Sequence, residues 1–136
     1  MKQRFSTKWN ASIQPRKQRK YLANAPLHIK RKMLSANLSE EIRKKYGIRS
    51  IELRKNDEVK IMRGKFAKRQ GKITAINKRK MKASVEGIQK TKKDGTKVNI
   101  WFHASKLQII GLNTDDKKRL KNLSNKPGEI KENAHN

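Results

Sequence analysis

The sequence contains no cysteine, which removes disulfides and thiolate zinc sites together and fits a reducing compartment. Aromatic residues make up 5% and apolar residues 33% of the 136 positions, so much of the chain has nothing to bury in a core. No run approaches the roughly 18 apolar residues of a membrane span, and the opening residues alternate charged with polar groups instead of forming an apolar signal core. A soluble, non-secreted protein with one small domain and extensions is the expectation. Acidic residues are also scarce, and none precedes Glu40.

What is abundant is positive charge. Lys and Arg number 37 against 11 Asp and Glu, a formal net charge of +26. A balance this one-sided repels itself in a compact state and is expected where a polyanion neutralises it. Nucleic acid is the commonest such polyanion, and counterion release from its phosphates drives binding. The acid-free start carries Arg4, Lys8, Arg16, Lys17, Arg19 and Lys20, then His28, Lys30, Arg31 and Lys32. Interspersed with Pro, Asn, Gln and Ser, these read as a basic arm that stays disordered until bound. A merely solvated tail is the plainer alternative.

The pattern divides the chain into a basic N-terminal extension with short helices over 1–51, a β domain over 52–112, and a basic C-terminal helix and tail over 113–136. Pro26 and the apolar spacing of Leu27, Ile29, Met33 and Leu34 predict a short helix over Leu27 to Ser35. A second helix is expected from Asn37 or Ser39 through Tyr46. Asn37 and Glu40 have capping-box spacing, basic residues end the helix, and Gly47 can take the left-handed cap. From Glu52 onward the period becomes two: Val59 and Ile61, Ile73 and Ala75, then Met81, Ala83 and Val85 alternate with polar neighbours. A further stretch runs to Thr91, Asp94-Gly95 signals a hairpin turn, and Val98, Ile100 and Phe102 alternate with Asn99 and Trp101. A last strand covers Leu107 to Ile110. Five or six short strands without intervening helices predict a small antiparallel barrel. Thr114-Asp115-Asp116 before Lys117, Lys118, Arg119, Leu120 and Leu123 reads as a capped basic helix, and Lys126-Pro127-Gly128 as a ragged tail.

The loops carry the chemistry. Arg63, Gly64, Lys65, Lys68, Arg69, Gln70, Gly71 and Lys72 lie in one glycine-bounded turn between the first barrel strands. Glycine lets the backbone approach a phosphate, so that N–H groups donate to it while the side chains supply charge. The same reading extends to the basic run Lys78, Arg79 and Lys80, to Arg49, Arg54 and Lys55 ahead of the Val59 strand, and to His103, Ser105 and Lys106 just before the last strand. The plainer alternative makes the glycines turn geometry and the cations solvated surface.

At these residues the chain resembles a known family. Asp57-Glu58-Val59-Lys60-Ile61-Met62-Arg63-Gly64 followed by Gln70-Gly71-Lys72-Ile73 resembles a KOW motif, whose hallmark glycine corresponds to Gly71. Its setting is more specific: Ala25-Pro26-Leu27-His28-Ile29-Lys30-Arg31-Lys32, Leu38-Ser39, Lys45-Tyr46, Ile48-Arg49-Ser50, Arg54-Lys55-Asn56-Asp57-Glu58-Val59, and His103-Ala104-Ser105-Lys106-Leu107. Together they resemble the eukaryotic and archaeal large-subunit ribosomal KOW protein family over about residues 10 to 123. The resemblance implies an SH3-like barrel with basic extensions, bound to large-subunit rRNA near the polypeptide exit and joining early in subunit assembly. It implies neighbouring ribosomal proteins as further partners, a cytoplasmic ribosome with nucleolar assembly if the source is eukaryotic, and no cofactor, membrane, small-molecule substrate or homo-oligomer. Many members have glycine where Lys68 stands and proline where Ala104 stands.

Other constellations carry less. His28, His103 and His135 lie far apart without carboxylates at ligand spacing, so no metal site is expected. Ser105 lies two residues from His103, but no orienting acid or oxyanion pocket accompanies them, and the chain is expected to be non-catalytic. Trp9 and Trp101 could each stack on a base or pack against an extension. A KOW transcription-elongation module that binds polymerase would normally bring further domains and fewer cations, and a histone-like DNA condenser would not need the ordered strand pattern.

Overall fold

The computed structural model describes residues 3–119. The expected continuation of the C-terminal helix through Leu120 and Leu123, the tail at Lys126-Pro127-Gly128, and His135 lie outside the described residues.

The arm holds more local structure than its composition predicts. A 3-10 turn over Thr7–Ala11 is capped by Ser6, whose hydroxyl accepts from the Lys8 N–H. Helix α1 follows over Pro15–Asn24, with Pro15 in its first turn, where the missing N–H costs nothing. The Gln18 side-chain amide ties the two together, donating to the carbonyls of Trp9, Asn10 and Ser12 at 3.2, 3.0 and 2.6 Å. Phe5 stacks on Tyr21 with ring centres 5.3 Å apart and meets the edge of Trp9 at 6.4 Å. The expectation of a disordered arm is therefore revised over these residues: a small aromatic cluster, invisible to periodicity, organises them. Helix α2 occupies Leu27–Met33, as expected, and stops as strand β1 begins at Ser35–Leu38.

Helix α3 covers Glu40–Tyr46, with acids in its first turn and Arg43, Lys44 and Lys45 in its last, complementing the helix dipole at both ends. Gly47 closes it in the left-handed conformation at φ 63°. Its N–H donates to the Arg43 carbonyl at 2.8 Å. The expected capping box is corrected. Asn37 belongs to β1, paired with Ser50 and Gln108, and Ser39 is the N-cap without a side-chain cap bond. Strand pairing satisfies the backbone at Asn37 more fully than a cap would.

The remaining strands are β2 (Ser50–Glu52), β3 (Glu58–Ile61), β4 (Gln70–Asn77), β5 (Lys82–Thr91), β6 (Lys97–His103) and β7 (Leu107–Gly111), with a 3-10 turn at Ala104–Lys106 between the last two. They form one seven-stranded sheet in the order β2-β1-β7-β3-β4-β5-β6, an SH3-like, barrel-like domain. Two details depart from the expected antiparallel barrel. The β1–β7 pair is parallel, and the sheet draws β1 and β2 from the segment read as an extension. Both strands are too short for a period of two to stand out, yet Ala36 and Leu38 are buried. The hairpin turn at Asp94-Gly95 is present, with Gly95 at φ 85°.

The core lies inside the curl of the sheet: Leu34, Leu38, Val59, Ile61, Ile73, Val85, Leu107 and Ile109 are almost fully buried. Each such side chain stabilises the fold by about 1.5–3 kcal/mol relative to exposure. The curl needs a bulge where β4 meets β5, between Ile73 and Ala75. Buried Ser84 satisfies it: its hydroxyl accepts from the Ala75 N–H at 3.1 Å and bonds the Thr74 hydroxyl at 2.8 Å. On β6, Phe102 is buried while Trp101 stays exposed on the opposite face, as alternation predicts. Val98 is exposed instead of inward, because there the β5–β6 ribbon has only its own two strands to pack with.

Candidate nucleic-acid interface

The turn between β3 and β4 is held from within. Its backbone closes through Lys68 N–H to the Ile61 carbonyl (2.8 Å) and Ala67 N–H to the Gly64 carbonyl (2.9 Å). Phe66 anchors it by packing on the core, its ring edge-on to Phe102 at 6.2 Å. With the apolar residue turned inward, Arg63, Lys65, Lys68 and Arg69 are left exposed. The Arg69 guanidinium lies 5.4 Å from the Phe66 ring centre, a cation–π contact that positions it. Gly64 at φ 95° and Lys68 at φ 70° make the two sharp corners. Lys68 thus keeps the left-handed backbone that suits glycine.

Gly71 plays a different part from the one expected. It lies in β4 opposite Val59, not at a corner, and has an ordinary backbone. A Cβ there would stand 2.9 Å from Val85 Cγ1 and 3.0 Å from the Glu86 carbonyl oxygen. The glycine lets β5 pass close over β4.

The second predicted segment meets the first. The Met62 N–H donates to the Lys106 carbonyl at 2.8 Å, fastening the Ala104–Lys106 turn beside the β3–β4 turn. His103 caps that turn: Nδ1 accepts from the Ser105 N–H at 3.3 Å and lies 3.0 Å from its hydroxyl. Ala104 is the first residue of the turn, a position that accommodates proline. Arg63 and Ser105 share a recess of about 270 Å³ with Asn37 and Arg43. Gln70 and Lys72 continue the exposed surface along β4.

The other predicted residues are scattered around this centre. Lys78, Arg79 and Lys80 form the exposed β4–β5 turn, where Asn77 Oδ1 accepts from the Lys80 N–H at 3.0 Å. Arg49 and Lys55 are exposed. On the arm, Lys8, Arg16, Lys17 and Arg19 are exposed, and Arg4 accepts through its carbonyl from Asn24 at 2.9 Å. Lys20 holds its ammonium 4.8 Å from the Trp9 ring centre and donates to the Gln3 carbonyl. Trp9 is therefore engaged in packing. On α2, His28 and Lys32 are exposed, whereas Lys30 is buried, donating to the Ala23 carbonyl at 2.9 Å.

Two predicted cations already have acidic partners. Arg31 Nε meets Glu52 Oε2 at 2.7 Å, and Arg54 pairs with Asp116. Burial, and after it the neighbouring Arg119 and Arg31, lower Arg54 from the ordinary arginine value.

In sequence Arg119 reads only as one cation of the basic C-terminal helix. It is buried against Asp57, and its one legible signal is the rarity of acids in so basic a chain. Asp116 caps this stretch as expected of the Thr114-Asp115-Asp116 segment, accepting from the Lys118 N–H at 2.8 Å. Lys90, Lys92, Lys93 and Lys97 near the tip of the β5–β6 hairpin, which no motif marks in the sequence, are exposed as well.

Comparison with known proteins finds relatives over most of the chain. The sequence model of the family that comprises ribosomal proteins L26 of eukaryotes and their archaeal L24 counterparts matches residues 12–126. The large ribosomal subunit protein uL24 of Sulfolobus acidocaldarius is 44% identical over 115 residues, covering 85% of this chain and 86% of that protein. Its counterpart in Korarchaeum cryptofilum is 43% identical over 121 residues, covering 89% and 92%. That of Saccharolobus solfataricus is 42% identical over 112 residues, covering 82% and 94%.

Proposed function

The chain belongs to the family of eukaryotic L26 and archaeal L24 ribosomal proteins, and from that premise we propose that it binds large-subunit rRNA directly through its exposed basic loops and arm. It is a structural, non-enzymatic constituent of the large ribosomal subunit. One observation carries the proposal: the Met62–Lys106 backbone bond locks two acid-free segments, Arg63–Lys72 and His103–Lys106, into one surface. Cations fixed by strand ends can match the phosphate positions of folded RNA, and phosphate contacts place a protein without reading sequence. Helical RNA hides its base edges in a deep, narrow groove, so recognition by shape suits this surface. The arm adds charge that tracks neighbouring RNA segments.

Family membership supports a place near the polypeptide exit, contact with neighbouring ribosomal proteins and early entry into the assembling subunit. The archaeal sources of the relatives support a cytoplasmic ribosome as its place of work. The test is sedimentation of native cell extract through a gradient at low and high salt. The protein should travel with large subunits and leave them only at high salt, and a free pool with none on the large subunit would contradict the proposal.

A further inference from the structure

Between α2, the β2–β3 connection and the end of β4 lies a cleft of about 370 Å³. Its lining includes Leu34, Leu53 and Ile76 together with Arg31, Arg54 and Lys78, and Lys55 and Asp116 also border it. An adjoining recess shares Arg31 and Lys78. Leu34 and Leu53 are core residues, and Ile76 packs against the same core, so the cleft has an apolar floor on a rigid base. Its walls are cationic. Glu52 holds the Arg31 guanidinium and Asp116 that of Arg54, which fixes two flat groups at the cleft. Lys55 and Lys78 are exposed and form no ion pair among the described residues.

An apolar floor between fixed guanidinium planes, with free ammonium groups at the rim, asks for a ligand with a flat unsaturated face and negative charge on its flanks. A paired helix cannot offer this, because its bases are stacked and their faces covered. An unpaired nucleotide does, since every base has a π-face and a phosphate on each side. We propose that this cleft receives one unpaired nucleotide of the bound RNA, its base against Ile76 above the buried Leu34 and Leu53 and beside Arg31 and Arg54, and its phosphates on Lys55 and Lys78. This rests on the rRNA reading above and assigns the cleft a different task from the phosphate-tracking loops.

The test uses the full chain and a short RNA hairpin carrying a single bulged 2-aminopurine, compared with the same hairpin without the bulge. The bulged RNA should bind about tenfold more tightly, within the range that stacking one base supports. Its fluorescence should rise as the base leaves the RNA stack. Ile76→Glu should bring the affinity ratio close to one, and Ile76→Ser, which disturbs the fold less, should lower it at least about threefold. Equal affinity for the two RNAs with unchanged fluorescence overturns the cleft assignment while leaving the rRNA reading standing. Failure to bind either RNA at low salt overturns both.

Discussion

Arg119 grips Asp57 with both prongs of its guanidinium, Nη1 lying 2.6 Å from Oδ1 and Nη2 2.9 Å from Oδ2. Both side chains are buried, at 4% and 0% exposure. Nη2 also donates to the Glu52 carbonyl at 3.0 Å. Asp57 in turn accepts from the backbone N–H groups of Arg54 (2.8 Å) and Asn113 (3.0 Å). One carboxylate thus joins the entry to β3, the exit from β7 and the C-terminal segment. Removing one partner leaves a buried charge unpaired. Arg119→Ala and Asp57→Ala should therefore each cost about 3–5 kcal/mol in urea unfolding, and the double variant should cost less than their sum. A loss below about 0.5 kcal/mol for Arg119→Ala would show that the pair does not hold the segment.

Glycine is required in β4 by crowding. A methyl group at Gly71 meets Val85 Cγ1 at 2.9 Å and the Glu86 carbonyl oxygen at 3.0 Å, whereas at Gly111 it meets Glu58 Cβ and Oε2, both at 3.1 Å. The Glu58 carboxylate can swing aside and its Cβ need give only a few tenths of an ångström, but at Gly71 the tighter contacts include the backbone of the paired strand β5. Gly71→Ala should cost about 1–3 kcal/mol and Gly111→Ala less than about 1, measured by thermal melting. Equal melting temperatures for the two variants would refute the close-approach account.

Lys68 separates stability from binding. Its φ of 70° is strained for a residue with a Cβ, so Lys68→Gly should raise stability by about 0.5–1 kcal/mol. The same change removes one cation from the loop and should flatten the slope of log affinity against log salt by roughly 0.7–0.9. A variant that melts lower, or that binds RNA with an unchanged slope, goes against this reading.

Acid should loosen the hairpin tip. Asp94 Oδ1 accepts from the Thr96 hydroxyl at 2.6 Å and from its N–H at 3.0 Å, and these bonds hold the carboxyl below its ordinary value. The folded value is depressed, so the stabilisation is present above the ordinary carboxylate range near about 4. It is lost as pH falls through the lower folded value. Amide shifts of Gly95 and Thr96 should follow that titration, and Asp94→Asn should remove it. A titration at the ordinary carboxylate position would contradict the hydrogen bonding.

The features legible in the sequence are those encoded within a few residues. α3 with Gly47, the Asp94-Gly95 turn and the alternation of Val59 and Ile61 all depend on neighbours that a short window contains. The parallel pairing of Asn37 with Gln108, the contact of Gly71 with β5 and the Asp57–Arg119 grip join distant parts of the chain, and no local pattern announces them. At Asn37 the local capping signal is present and loses to strand pairing. At the candidate interface, residue type identified the cations but not their occupation: Lys30, Arg31 and Arg54 look like Arg63 and Lys65 in sequence, yet each already has a partner.

If the surface around the β3–β4 turn binds rRNA phosphates, the binding should show in the salt dependence of affinity. Arg63, Lys65 and Arg69 are exposed and free of ion pairs among the described residues, so changing all three to Gln should leave the fold intact. Binding of the full chain to a large-subunit rRNA fragment should then show a slope of log affinity against log salt shallower by roughly 2–3. An unchanged slope at unchanged stability would mean that these cations do not meet RNA phosphates, and the account would fail.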